Sequence, residues 1–196
     1  MTTEDKSNFR NLVFVLPLMF YQPGKILKML MLNQVSGWKF FLSFGIAFTL
    51  LAAAARAYMG VEQVGDNLTL LFVHTISQLF SFWVTLIGGA ALVARLSAKF
   101  GASAGFSMAF LSTTFAYLPL LLAFILQALL QVIPIIWIAG LVHAMILFWK
   151  GSEVFLGIPS NRRIGFTFLA FFIFMGIGYL SAIFFDLITF AIFGIQ

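Results

Sequence analysis

The chain contains no cysteine, and only 9% of its 196 residues are Asp, Glu, Lys or Arg. The first absence excludes disulfides, thiolate metal sites and cysteine nucleophiles, and it leaves the redox compartment undetermined. The second excludes an ordinary water-soluble domain, in which roughly 25% of residues are charged. The six acids lie at the edges of apolar runs, so no carboxylate pair for general acid–base work is apparent. Also missing are Gly-x-Ser-x-Gly, a phosphate-binding glycine loop with Lys-Ser/Thr, and His-Glu-x-x-His. The expectation is a protein that is not an enzyme and holds neither cofactor nor metal. No small-x-small cleavage pattern follows the polar start Met1 to Arg10, so no removable signal peptide is expected.

What is present is hydrocarbon: 62% of residues are hydrophobic and 26 are Phe. Apolar runs of roughly 20 residues recur, each long enough to cross a hydrocarbon layer of roughly 30 Å as a helix. The pattern predicts an all-α integral membrane protein with about five transmembrane helices and an N-terminal interfacial helix. Residues 1–37 form the N-terminal part and residues 38–196 the transmembrane domain. Asn11 to Tyr21 is too short to span and is interrupted by Pro17, which suits a segment on the membrane surface. From Gly24 to Asn33 a helix carries Lys25 and Lys28 on one face and Ile26, Leu27, Leu30 and Met31 for burial in the acyl boundary.

Span one runs from about Trp38 to Tyr58, with an interfacial ring at each end. Span two covers about Leu68 to Leu96 and closes with Arg95, Lys99 and the flexible Gly101 to Gly105. Span three runs from about Phe106 to Leu130. Span four starts at Pro134, a residue suited to a first helical turn, and stops at Gly157-Ile158-Pro159. Ser160 N-caps span five, about Ile164 to Phe185, while Leu187 to Gln196 either extends that helix or folds back. With the N-terminus cytoplasmic, every Lys and Arg except Arg56 lies inside, and Glu62, Asp66 and Asp186 lie outside; the reverse orientation inverts this bias. Topology thus accounts for the net charge of +5, and no nucleic-acid partner is expected.

Three motifs resemble the Yip domain family, five-span membrane proteins named for eukaryotic members that bind Ypt/Rab GTPases and having small bacterial inner-membrane relatives. Tyr21-Gln22-Pro23 is similar to the family's Asp-Leu-Tyr-Gly-Pro segment, Ala116-Tyr117-Leu118-Pro119 to its Gly-Tyr and proline element in span three, and Phe155-Leu156-Gly157-Ile158-Pro159-Ser160 to the turn closing span four. The resemblance covers about Tyr21 to Phe172. Met19 and Gln22 depart from the family's aspartate and glycine, and Tyr117 and Pro119 stand closer together than is usual. It implies the five-span fold, a bacterial inner-membrane location, a structural role for Tyr21, Pro23, Tyr117, Pro119, Gly157 and Pro159, and a part in membrane organisation. Rab binding does not carry over, because the cytoplasmic extension is reduced to a few dozen residues.

Two intramembrane features invite function. His143 falls near the middle of span four, where an ionisable group is costly; it is either a proton-responsive or ligand-contacting group, or a neutral imidazole bonded to a neighbouring helix. Gly140 and Ala144 beside it leave room for a close helix. His74, Gln78, Ser81, Thr85 and Gly88 or Gly89 form one polar face of span two, either a pathway or interhelical glue. At the inner end, Lys25, Lys28, Lys150, Glu153, Arg162 and Arg163 form either a docking patch for a partner or anionic lipid, or positive-inside anchoring with a Lys150–Glu153 helical pair. The leading expectation is a membrane scaffold or accessory subunit, with the lipid bilayer and a membrane-protein partner or a second copy as its contacts. The alternative is a small transporter or channel whose polar path follows span two and His143.

Overall fold

A computed structural model describes residues 12–61, 68–102, 104–130 and 135–193, and no strand occurs among them. Two short helices, α1 (Leu12–Tyr21) and α2 (Pro23–Leu32), precede the spans. Span one is composite: α3 (Gly37–Phe40), a π-helical turn (Phe41–Gly45) and α4 (Ile46–Val61). Spans two to five are α5 (Leu68–Lys99), α6 (Phe106–Leu130), α7 (Ile135–Val154) and α8 (Ser160–Phe193). All five are long and apolar enough to cross a membrane, so the protein is an all-α integral membrane protein whose spans meet the bilayer directly.

Local chemistry sets the boundaries. Pro23 opens α2 in the first turn, where its missing N–H costs nothing. Gln34 closes α2 in the left-handed region, φ 48°, with Val35 N–H donating to Leu30 O and Gln34 N–H to Met31 O, a Schellman arrangement. Ser36 then caps span one by accepting from Lys39 N–H at 3.2 Å. Gly101, φ 85°, ends span two in the same way as Gln34, and Gly157, φ 68°, ends span four. Span five begins at Ser160 itself, so Ser160 is the first helical residue rather than the cap. Its helix continues to Phe193, which answers how the chain runs beyond Leu187: it extends the span.

Span three is the central helix, with 78% of its apolar window buried against 22% for span five. The most extensive packing joins spans three and four and spans two and five. Both pairs run antiparallel. Gly140 lies against Pro119 O and Ala123 while Gly151 lies against Ser112; Gln78 meets Asp186 while Gly89 meets Phe174. Span one joins span three at a point too tight for a side chain, since a Cβ on Gly37 would overlap Ser107 O and sit 2.8 Å from Leu111 N.

The N-terminal helices depart from expectation. Ile26, Leu27 and Leu30 are at most 1% exposed, within protein rather than in the acyl boundary, and Met31 is half exposed. The reason is that α1 packs on α2 and α2 packs on span four, so the apolar stripe that seemed to require lipid is covered by protein. Lys25 and Lys28 face outward from it.

Candidate functional site

The polar face of span two is built into the contact with span five. Gln78 Nε2 donates to Asp186 Oδ1 at 3.1 Å. One turn further on, the Ser81 and Thr85 hydroxyls each lie 3.0 Å from that of Ser181, and Thr85 Oγ1 also donates to Ser81 O. Gly178 allows the Thr85 side chain to approach, and the Phe174 ring occupies the space a Cβ on Gly89 would need. Hydroxyl and small residues at steps of three and four thus form a zipper, the usual means by which helices associate where water is excluded. His74, half-buried, lies one turn before Gln78 on the same helix. Asp186 has helix beyond it to Phe193, so it belongs to this seam rather than to a frayed outer end.

Beside the zipper is a cavity of about 290 Å³ lined by Ser81, Thr85, Arg56 and Tyr117, with Phe82, Phe124, Trp137 and Phe174 among its apolar walls. The Arg56 guanidinium carbon lies 5.4 Å from the centre of the Phe124 ring. Tyr117 is buried in the cavity wall, its ring edge-on to Phe174 at 5.1 Å.

His143 belongs elsewhere. Its imidazole stacks on Phe20 of α1 at 4.6 Å, beside the Met19 backbone, and its Nε2 is buried without a partner among the described residues. It faces a shallow groove of about 280 Å³ lined by Phe20, Pro119, Ala123 and Gly140. His143 and the Ser81–Thr85 face therefore line separate spaces. Among the described residues no group of three or more His, Asp or Glu is placed to hold a metal.

At the opposite end, Glu153 pairs with Arg163 across the turn at 2.7 Å, which corrects the expected Lys150–Glu153 pairing. The turn at Gly157 and Pro159 brings the start of span five back against the end of span four, so a partner ten residues away outcompetes one a helical turn away. Lys150 and Arg162 are exposed, and Arg162 reaches the Gly101 turn. Of the remaining motif residues, Tyr21 is exposed, Pro23 is buried in the first turn of α2, and Tyr117 and Pro119 are buried in span three.

The polar face of span two was visible as a periodicity, but its partners Ser181 and Asp186 were not identified as such, because two long apolar helices do not reveal their mutual register. The place of Arg56 was missed altogether: in the sequence it marks only an outer boundary. Comparison with protein-family models, with curated proteins and with solved structures yields no match.

Proposed function

We propose that this protein is a non-enzymatic membrane scaffold or accessory subunit that associates through its spans with another membrane protein or a second copy. One observation carries the reading: Gln78, Ser81 and Thr85 of span two are bonded to span five, while span five turns a row of large apolar side chains outward. Phe168, Phe172, Tyr179, Leu180, Phe184 and Leu187 are all between 48% and 71% exposed, and the helix bearing them packs mainly on one neighbour. A Yip-like organisation supports the same reading, as does the exposed basic end formed by Lys25, Lys28, Lys150 and Arg162, with the N-terminus on the cytoplasmic side of a bacterial inner membrane. Crosslinking in native membranes followed by mild-detergent purification tests it. A defined larger complex is the expected result; recovery of monomer alone overturns the proposal.

A second reading, a small transporter, draws on the cavity lined by Ser81 and Thr85. Tyr117 of span three and Phe174 of span five both line that cavity and stand edge-on at 5.1 Å, so a path between the two spans at that level requires those rings to part. Thr85→Val, which removes a hydroxyl from that cavity, separates the two readings: loss of a solute flux in proteoliposomes favours transport, and loss of assembly without any flux in the unaltered protein favours the scaffold.

A further inference from the structure

Arg56 stands three residues from Met59, where span one ends, at the end of the bundle away from the basic turns. A guanidinium at membrane depth is costly unless its donors are used. One face of this one is covered by the Phe124 ring. The five N–H donors lie in the guanidinium plane, and no acceptor among the described residues lining the cavity is bonded to them. The described residues lining the cavity offer hydroxyls but no carboxylate. Among the described residues no anion meets the guanidinium, and a planar carboxylate meets an arginine edge through two parallel hydrogen bonds.

The rest of the cavity suits hydrocarbon. Six of its thirteen lining residues are aromatic and Leu120, Met175 and Ala182 are aliphatic or thioether, Tyr117 stands edge-on to Phe174 among them, and its rim includes Tyr179, 70% exposed on the outward face of span five. The volume of about 290 Å³ equals about ten waters at roughly 30 Å³ each, which is room for one short chain and not for a two-chain phospholipid. A cationic end near the membrane edge, apolar walls beyond it and a lateral rim together describe a pocket for a molecule with the same polarity.

We propose that this cavity binds a single-chain amphiphile with a carboxylate head, Arg56 clamping the head and the aromatic walls enclosing the chain. The site is built within one chain and stands whether or not a protein partner is found.

The test uses the full-length protein in nanodiscs of neutral phosphatidylcholine, titrated with brominated octanoic acid, and follows the quenching of Trp137, defined as the component absent from Trp137→Phe. The expected result is saturable quenching by the acid but not by its methyl ester, with the apparent Kd raised tenfold or more in Arg56→Gln and less in Arg56→Lys. Ala182→Leu, which fills the cavity and leaves the cation in place, should abolish the saturable component. Equal saturation by acid and ester overturns the proposal, as does quenching that rises only by non-saturable partition into the bilayer. Full competition by phosphatidylglycerol at a few mole per cent also overturns it, because the head recognised would then be a phospholipid phosphate. The comparison of acid with ester needs no variant, so a misfolded Arg56→Gln leaves the test intact.

Discussion

Small residues decide how closely these helices approach. Gly37 has Ser107 O and Leu111 N where a side chain would begin, so Gly37→Ala must push span one away from span three. A loss of about 1–3 kcal/mol is expected from such overpacking, read as a lower midpoint of thermal unfolding in detergent. Gln34 is the opposite case. Its left-handed backbone costs a side chain roughly 1–2 kcal/mol, part of which glycine returns as unfolded-chain entropy. Gln34→Gly should therefore stabilise the protein by about 0.5–1 kcal/mol, and an unchanged or lower midpoint contradicts this account. The Ser181 hydroxyl joins Ser81 and Thr85, yet hydrogen bonds between membrane helices average only about 0.6 kcal/mol, because the separated helices also find partners. Ser181→Ala should cost about that much and leave the fold unchanged by circular dichroism.

Among the elements, α2 shows what periodicity can and cannot tell. Lys25 and Lys28 against Ile26, Leu27 and Leu30 gave the correct face, since the same residues are exposed and buried in the structure. They could not say what covers that face, because lipid and a neighbouring helix are equally apolar. Leu27 is fully buried, so Leu27→Ala should cost about 2–5 kcal/mol; a surface leucine in lipid would cost far less, and chemical unfolding distinguishes the two. The five spans were legible for a different reason: their apolar runs and their Gly, Pro and Ser punctuation are local signals. The contact of Arg56 with Phe124, the pairing of Ser81 with Ser181 and the stacking of Phe20 on His143 are not local, and each depends on a register that a uniformly apolar helix does not encode at single-residue resolution. Spans two and five also proved longer than their apolar parts. Their 32 and 34 residues reach about 48 and 51 Å at 1.5 Å per residue, beyond a hydrocarbon core of roughly 30 Å, so the pair either tilts or projects from the bilayer.

For the molecule as a whole, the proposed topology puts the basic turns on one face of the membrane and the far end of span one on the other. The absence of cysteine makes this directly measurable. Ser160→Cys, in the basic turn, should resist a membrane-impermeant maleimide in intact cells, and Tyr58→Cys, at the far end of span one, should react; the reverse pattern would invert the proposed topology. The π turn in span one carries a consequence for the same helix. The 19 steps from Gly37 to Arg56, at about 100° each, would leave the two residues about 100° apart around a regular α-helix. Yet Gly37 packs on Ser107 and Arg56 on Phe124, both in span three. The wider turn at Phe41–Gly45 takes up about one residue and brings the two onto a single line. Span one therefore carries its own spare residue. Deleting Ser43, exposed within that turn, should return the segment to α-helix with both contacts aligned, whereas deleting Ala54 should swing Arg56 away from Phe124, so that two deletions of equal size in one helix have opposite outcomes.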